Sequence, residues 1–261
     1  FSQGHGIYVK GDLQLENCII EKQQVSTQVT VNFGTLVMKN VDILAGTTNQ
    51  FGMRIDNGSS VMLIESTLHQ HTKAQIIAQN SEISLSKCML LEGTMNGIFA
   101  IRNVNMVIED CEIHGHEKTQ IVAASSTISL VNTLIHEGRD VGIQVFSGSK
   151  LTIDQCEIKQ HAETSVVVHE SELVASDSRI AKSNGNGLYI GEKSKAVIYD
   201  CQLFGHKKPQ LFIENSKAEI RKCQVTNGST TGITIFNEAN VIMTECTIHH
   251  HIQFHVIVDA S

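Results

Sequence analysis

The chain has 261 residues, 41% of them hydrophobic, with 20 lysines and arginines against 27 aspartates and glutamates and a formal net charge of −7. That apolar content suffices for a buried core, while the scattered cations make no basic footprint, so nucleic acid and other polyanions are not expected partners. No apolar run approaches a membrane span, no basic-then-apolar leader is present, and seven cysteines without a CxxC suggest neither a disulfide framework nor a zinc knuckle; no membrane contact and a reducing, cytoplasmic setting are the expectations.

One proline (Pro209) and no tryptophan interrupt runs of Val, Ile and Thr that alternate with polar residues from end to end, and no stretch reads as a helix. Taken in chain order, the segments copy one another. Gly52, Gly97, Gly142, Gly187 and Gly232 stand 45 residues apart, and the last four open Gly97-Ile-Phe-Ala, Gly142-Ile-Gln-Val, Gly187-Leu-Tyr-Ile and Gly232-Ile-Thr-Ile. His71, His116, His161, His206 and His251 keep the same spacing, as do Cys111, Cys156, Cys201 and Cys246. Between the glycines, Gln75, Gln120 and Gln210, with Ser165 and His255 in the other slots, start half-repeats, so each unit splits into 23 and 22 residues.

Each half reads as a short apolar strand, a turn, a second strand, a two-residue polar turn and a third strand, as in Ser149-Lys-Leu-Thr-Ile-Asp-Gln-Cys-Glu-Ile. Asn-Gly and Asp-Gly turn signals are sparse and the pattern never reverses, so hairpins are not expected; stacking coil upon coil as parallel strands satisfies the backbone instead. The predicted fold is all-β: a right-handed parallel β-helix of about eleven coils with three short strands each, a single domain over residues 1–261 of a longer chain. Alternation turns Ile98, Ile143, Leu188 and Ile233 of the first strand inward, and Cys111, Cys156, Cys201 and Cys246 of the third. Coils about 4.8 Å apart present parallel Cβ vectors, so the cysteines, including Cys88 and Cys223 in matching slots, are expected to be free core thiols.

The motif Leu151-Thr-Ile-Asp-Gln-Cys-Glu-Ile followed by a Gly-Ile-x-Val-like strand resembles the repeats of the pectin-lyase-like superfamily over essentially the whole chain. That resemblance implies the fold and leaves the activity open, since such coils serve polysaccharide lyases, hydrolases and epimerases as well as accessory parts of intracellular proteins such as F-box ubiquitin-ligase subunits and some AAA ATPases. It also implies a substrate groove across the first strands. The outward positions there read Thr30, Arg54, Ile77, Phe99, Val122, Gln144, Val167, Tyr189, Phe212, Thr234 and Ile257, with the preceding Gly or Gln pointing out, and only Arg54 is charged. The superfamily's Asn-Thr-Asp, Asp-Asp, Asp-Pro-His-Asp and Arg-x-Pro-x-x-Arg motifs are missing, and His114-Gly-His116 lacks the paired acids of an inverting hydrolase. No catalytic residue, metal or cofactor is assigned, and the segment is expected to be non-catalytic.

Glu65, Asp110, Asp200 and Glu245, with Gln155 in the same slot, read as turn residues rather than a metal array. The pairs His69/His71, His114/His116 and His249/His251 could each offer two metal ligands, but a pair without a third ligand makes a weak site, so turn capping is expected. The apolar stripe Ile77, Phe99, Val122, Val167, Tyr189, Phe212 and Ile257 is the candidate binding surface, unless the long turns, or Phe146 and Phe236 just beyond the strand, fold over it. It leads first to a scaffold module that holds a protein partner or its own copy, flanking domains such as an AAA ATPase supplying any chemistry. The alternative is a carbohydrate-binding or polysaccharide-cleaving β-helix, with Phe99, Tyr189 and Phe212 stacking on sugar rings; a third is a metal- or pH-responsive assembly through the histidines. A first residue that is not Met, and an end just after a strand, lead to the expectation of further chain, a partner domain or self-association at the ends.

Overall fold

The computed structural model describes residues 6–21, 27–45 and 50–259; the chain's last residue, Ser261, lies outside them. Among the described residues the only regular structure is β-strand, and the strands pair in parallel from coil to coil. The first strands of successive coils, from Ile7–Val9 to Val256–Asp259, stack as one sheet of twelve, and the second and third strands line a continuous sheet of twenty. This is the right-handed β-solenoid that the 22- and 23-residue halves predict, with eleven full coils between the first and the twelfth first strand. In the opening two coils the second and third strands run together, as Asp12–Ile20 and Thr35–Leu44.

Period-2 alternation fills the interior. Ile98, Ile121, Ile143, Val166, Leu188, Leu211 and Ile233 stand in register on adjacent coils and are fully buried. These inward strand residues therefore pack on apolar residues of the coils above and below, so the hydrophobic term accumulates along the axis rather than around one centre.

The turn between second and third strands explains the recurring polar residue. Glu65, Asp110, Gln155, Asp200 and Glu245 have φ between 50° and 56°, the left-handed conformation that re-aims the chain by one step. The residue after it then points inward, just ahead of the third strand rather than inside it, and there the sequence places Ser, Thr or Cys. Its side chain donates to the carbonyl two residues back, as in Cys111 Sγ to Glu109 O (3.1 Å) and Ser66 Oγ to Ile64 O (2.8 Å). It also accepts an amide from the preceding coil, as Ser178 Oγ does from Cys156 N (3.0 Å). The cysteines thus work as apolar members of a hydroxyl column. All seven are free thiols, and Cys88, Cys111, Cys156, Cys201 and Cys223 are buried. Burial raises the Cys156 thiol to about 11, and the hydrogen bonds with Cys88 and Cys223, then burial, raise Cys111 and Cys201. A thiol-specific aromatic disulfide at pH 8 is expected to label Cys18 and Cys246 of the native chain within minutes and the five buried cysteines only after unfolding; rapid labelling of all seven would show that the coils breathe open.

The 45-residue period, twice the coil, has a packing cause. The predicted histidine ladder lies inside: His71, His116, His161, His206 and His251 are buried. Each ring sits against glycine on the coil before it. A Cβ added to Gly97 would meet the His116 ring at 2.9 Å and the Gln120 carbonyl oxygen at 2.8 Å, and one on Gly93 would meet the other edge of that ring at 2.9 Å. Gly138 and Gly142 hold His161 in the same way, and Gly228 and Gly232 hold His251. A coil with a large ring in this corner needs a neighbour with none, so the corners alternate between His-x-x-x-Gln and Gly-x-x-x-Gly types, with Ser165, Ser183 and His255 as variants. The glutamines accordingly do not point out as expected. Gln75, Gln120 and Gln210 are fully buried, and their amides donate to main-chain carbonyls, Gln75 Nε2 to Leu91 O (2.5 Å) and Gln120 Nε2 to His136 O (2.6 Å).

Candidate functional site on the first-strand sheet

Strand register puts the outward residues of the first strands into one column, Thr30, Arg54, Ile77, Phe99, Val122, Gln144, Val167, Tyr189, Phe212, Thr234 and Ile257, in the order the spacing predicts, and adds Tyr8 ahead of them. The column is not a continuous open apolar band. Val122 and Val167 are buried, as are Thr30 and Thr234, whereas Ile77, Phe99, Tyr189, Phe212 and Ile257 are half-buried. Arg54 is exposed, with its Nε 2.6 Å from Asp56 Oδ2.

The residues two places further on form a second outward column that includes Phe146, His169, Gly191, Glu214 and Phe236. Phe146 and Phe236 are the last residues of their strands, not cover beyond them. Where the two columns meet on four adjacent coils, they make the largest aromatic cluster among the described residues. The Tyr189 ring leans over Gly191, where a Cβ would meet ring atoms at 2.7 Å, so the missing side chain is what lets the ring lie flat between columns. Tyr189 and Phe212 stack with centroids 5.5 Å apart and planes 7° apart, Phe212 and Phe236 at 5.8 Å and 14°, and His169 tilts against Tyr189 at 5.1 Å. These spacings are those of offset stacking, in which each ring leaves part of its face uncovered.

Polar groups edge the rings. The Tyr189 hydroxyl donates to Glu214 Oε1, Asn237 Nδ2 donates to the other oxygen at 3.4 Å, and His169 Nδ1 lies 3.6 Å from Glu192 Oε2. Burial, followed by the bond to Glu214, raises the Tyr189 hydroxyl above its ordinary range, so it stays protonated and acts as a donor. The face therefore offers flat apolar surface beside carboxylate, amide and imidazole groups, a combination suited to a ligand with apolar C–H faces and many hydroxyls. Tyr189 and Phe212 are legible in the sequence as members of the stripe. Phe236, His169 and Glu214 are not, because they belong to the second column; reading the outward alternation two residues further would have found them.

The third-strand histidines part company. His114 is half-buried on the outer face while His116 is buried inside, so the i, i+2 pair does not converge, and His69 and His71 divide in the same way. His249 and His250 touch each other at the surface, with His251 turned inward.

Among curated proteins none matches the chain. Solved structures share its fold at low identity. The periplasmic alginate epimerase AlgG matches over 93% of this chain and 78% of its own, at 10% identity and a TM-score of 0.60. The Azotobacter vinelandii mannuronan C-5 epimerase AlgE4 A-module matches over 87% and 89%, at 9% and 0.60. The enzymatically active domain of bacteriophage CBA120 tailspike protein 2 matches over 86% of this chain, which spans 41% of that one, at 12% and 0.59. The sequence profile of the family described as right handed beta helix region matches residues 1–135 and 121–261. With eleven parallel coils and a profile match along its whole length, the chain belongs to the right-handed β-helix family.

Proposed function

We propose that the chain binds a polysaccharide along the outer face of its first-strand sheet, on Tyr189, Phe212 and Phe236, with His169, Glu214 and Asn237 meeting the hydroxyls. The observation that carries this reading is the run of offset aromatic rings bordered by hydrogen-bonding groups on adjacent coils. Solenoid geometry suits a long ligand: a polymer lying along the axis meets a new coil about every 4.8 Å. Two of the structures with this fold are named as polysaccharide epimerases, which supports the same class of ligand. A protein partner or a second copy of the chain is the competing occupant of the stripe. The rings' polar surroundings, and the breaks in the apolar column at Val122 and Val167, favour the sugar.

Affinity electrophoresis through gels containing neutral and uronate polysaccharides tests the proposal. The chain is expected to be retarded by at least one of them, and Phe212→Ser with Phe236→Ser together to weaken that retardation about tenfold, the effect of removing central aromatic anchors. Circular dichroism is expected to show the solenoid intact in the double variant. No retardation by any polysaccharide, combined with concentration-dependent mass that the double variant abolishes, would overturn the sugar reading in favour of self-association.

A further inference from the structure

On the sheet formed by the second and third strands, apart from the aromatic cluster, Glu112 and His114 of one third strand, Glu112–His114, meet His136 of the next, Leu134–His136. The Nε2 atoms of both imidazoles approach the same oxygen, Glu112 Oε1, at 3.9 Å from His114 and 2.9 Å from His136. The two rings lie 4.8 Å apart, and one ligand atom from each of the three residues falls within 4.8 Å of the others. We infer that Glu112, His114 and His136 form a binding site for a zinc-class divalent transition-metal ion, open on its outer side.

Geometry and chemistry both support the assignment. Ligand atoms about 2.1 Å from a tetrahedral ion stand roughly 3.4 Å apart, a value inside the range of separations seen here, so small side-chain rotations close the set. Two imidazoles and one carboxylate are the ligands of borderline ions rather than of calcium or magnesium, which take oxygen alone. His136 Nδ1 lies 3.7 Å from Glu137 Oε1, so a carboxylate stands behind the nitrogen that a metal would leave free, the partner that orients a ligating ring. All three side chains are half-buried, and His114 lines an open groove with Glu92, Glu117, Glu137 and Arg139. Three protein ligands leave a fourth position for an exchangeable water or a ligand oxygen.

The repeat argues that the set is more than a copied turn. One unit later the same places hold Glu157, Lys159 and Ala181, with Lys159 Nζ tied to Glu157 Oε2 at 3.0 Å, and one unit earlier Thr67, His69 and Leu91. The register puts Lys159 beside His136, and its pairing with Glu157 occupies that charge. Among the described residues this is the one group of three such side chains with converging ligand atoms. The site shares no residue with the aromatic face.

Cobalt and zinc report on it directly. The whole chain, freed of metal with a chelator, is expected to take up one Co²⁺ with the visible absorption of a four- or five-coordinate ion, and Zn²⁺ to bleach it. Glu112→Gln, His114→Gln and His136→Gln are each expected to weaken binding at least about tenfold, while His249→Gln, at the separate surface pair His249 and His250, leaves it unchanged. Zn²⁺ should also protect His114 and His136 from acylation by diethyl pyrocarbonate, mapped by mass spectrometry on the unaltered chain. No saturable uptake, uptake indifferent to the three substitutions, or loss with His249→Gln would overturn the site.

Discussion

Taking the pH from 7.5 to 5.5 is expected to destabilise the solenoid by about 5 kcal/mol and to lower its urea midpoint by about 1–2 M. The cause is the buried histidine ladder. Burial lowers His71, His116 and His206 to about 4 and His161 to about 3, from an ordinary value of 6.5, with neighbouring histidine charges adding to the effect at all but His206 and the Gln120 hydrogen bond opposing it at His116. In the folded chain the rings stay neutral until the pH approaches 4, whereas in the unfolded chain they protonate as it falls through 6.5. A depressed folded value contributes stability that is present above the unfolded value and lost as the pH falls towards the folded one, so the vulnerable window is about 6.5 to 4. One unit below 6.5 each histidine costs about 1.4 kcal/mol, and four together reach the figure above.

The interior gives these rings few groups that would accept a charge: His116 Nδ1 meets Gln120 Oε1 at 3.3 Å and His206 Nε2 meets the Ile180 carbonyl oxygen at 3.0 Å, but among the described residues neither nitrogen of His71 has a hydrogen-bond partner, nor do His116 Nε2 and His161 Nδ1. Urea unfolding followed by circular dichroism at pH 7.5, 6.5 and 5.5 measures the effect, and His161→Gln is expected to remove about a quarter of the slope. A midpoint that holds or rises on acidification would show that the corner histidines are hydrated and titrate freely.

Gly187→Ala is expected to cost about 2–3 kcal/mol, more than an alanine normally costs on a surface turn. Its Cβ would lie 2.4 Å from the Gln210 carbonyl oxygen and 2.8 Å from His206 Nε2, and the carbonyl belongs to the next coil's backbone, so the contact cannot be relieved by rotating a side chain. The coils must separate locally, weakening the backbone hydrogen bonds between them, such as that from Leu188 N to Gln210 O at 3.0 Å. The lower chain entropy of unfolded alanine offsets only about 0.4–1 kcal/mol of this. Gly97→Ala, with its nearest carbonyl at 2.8 Å, is expected to cost less, so the order of the two variants in thermal or urea unfolding tests the cradle as well as its size. If both behave like the unaltered chain, the glycine layer is not a steric requirement and the 45-residue period needs another cause.

Much of this molecule follows from one-dimensional pattern. In a solenoid the neighbour of a residue in space is its copy one coil away, so the spacing that repeats Gly97 at Gly142 and Ile98 at Ile143 is also the packing arrangement. The alternation within each strand names the inward face without reference to anything distant. The thiol column and the left-handed turn residues were legible for the same reason, being local and repeated.

What the pattern leaves open is how side chains on different coils lean. Tyr189 reaches Glu214, 25 residues on, because Gly191 vacates the space beside it, and Glu112 reaches His136, 24 residues on, across the diagonal of two strands. The histidine pairs show the limit most clearly. Sequence spacing set His114 beside His116, but the turn at Gly115, with φ of 75°, sends the second ring into the corner against Gly93 and Gly97 and leaves the first outside for a partner from the next coil. Fold and register were thus determined by the sequence itself, through periodic burial. The aromatic cluster and the Glu112, His114 and His136 set were decided only in the tertiary structure, because each depends on side chains that break the repeat and meet across coils.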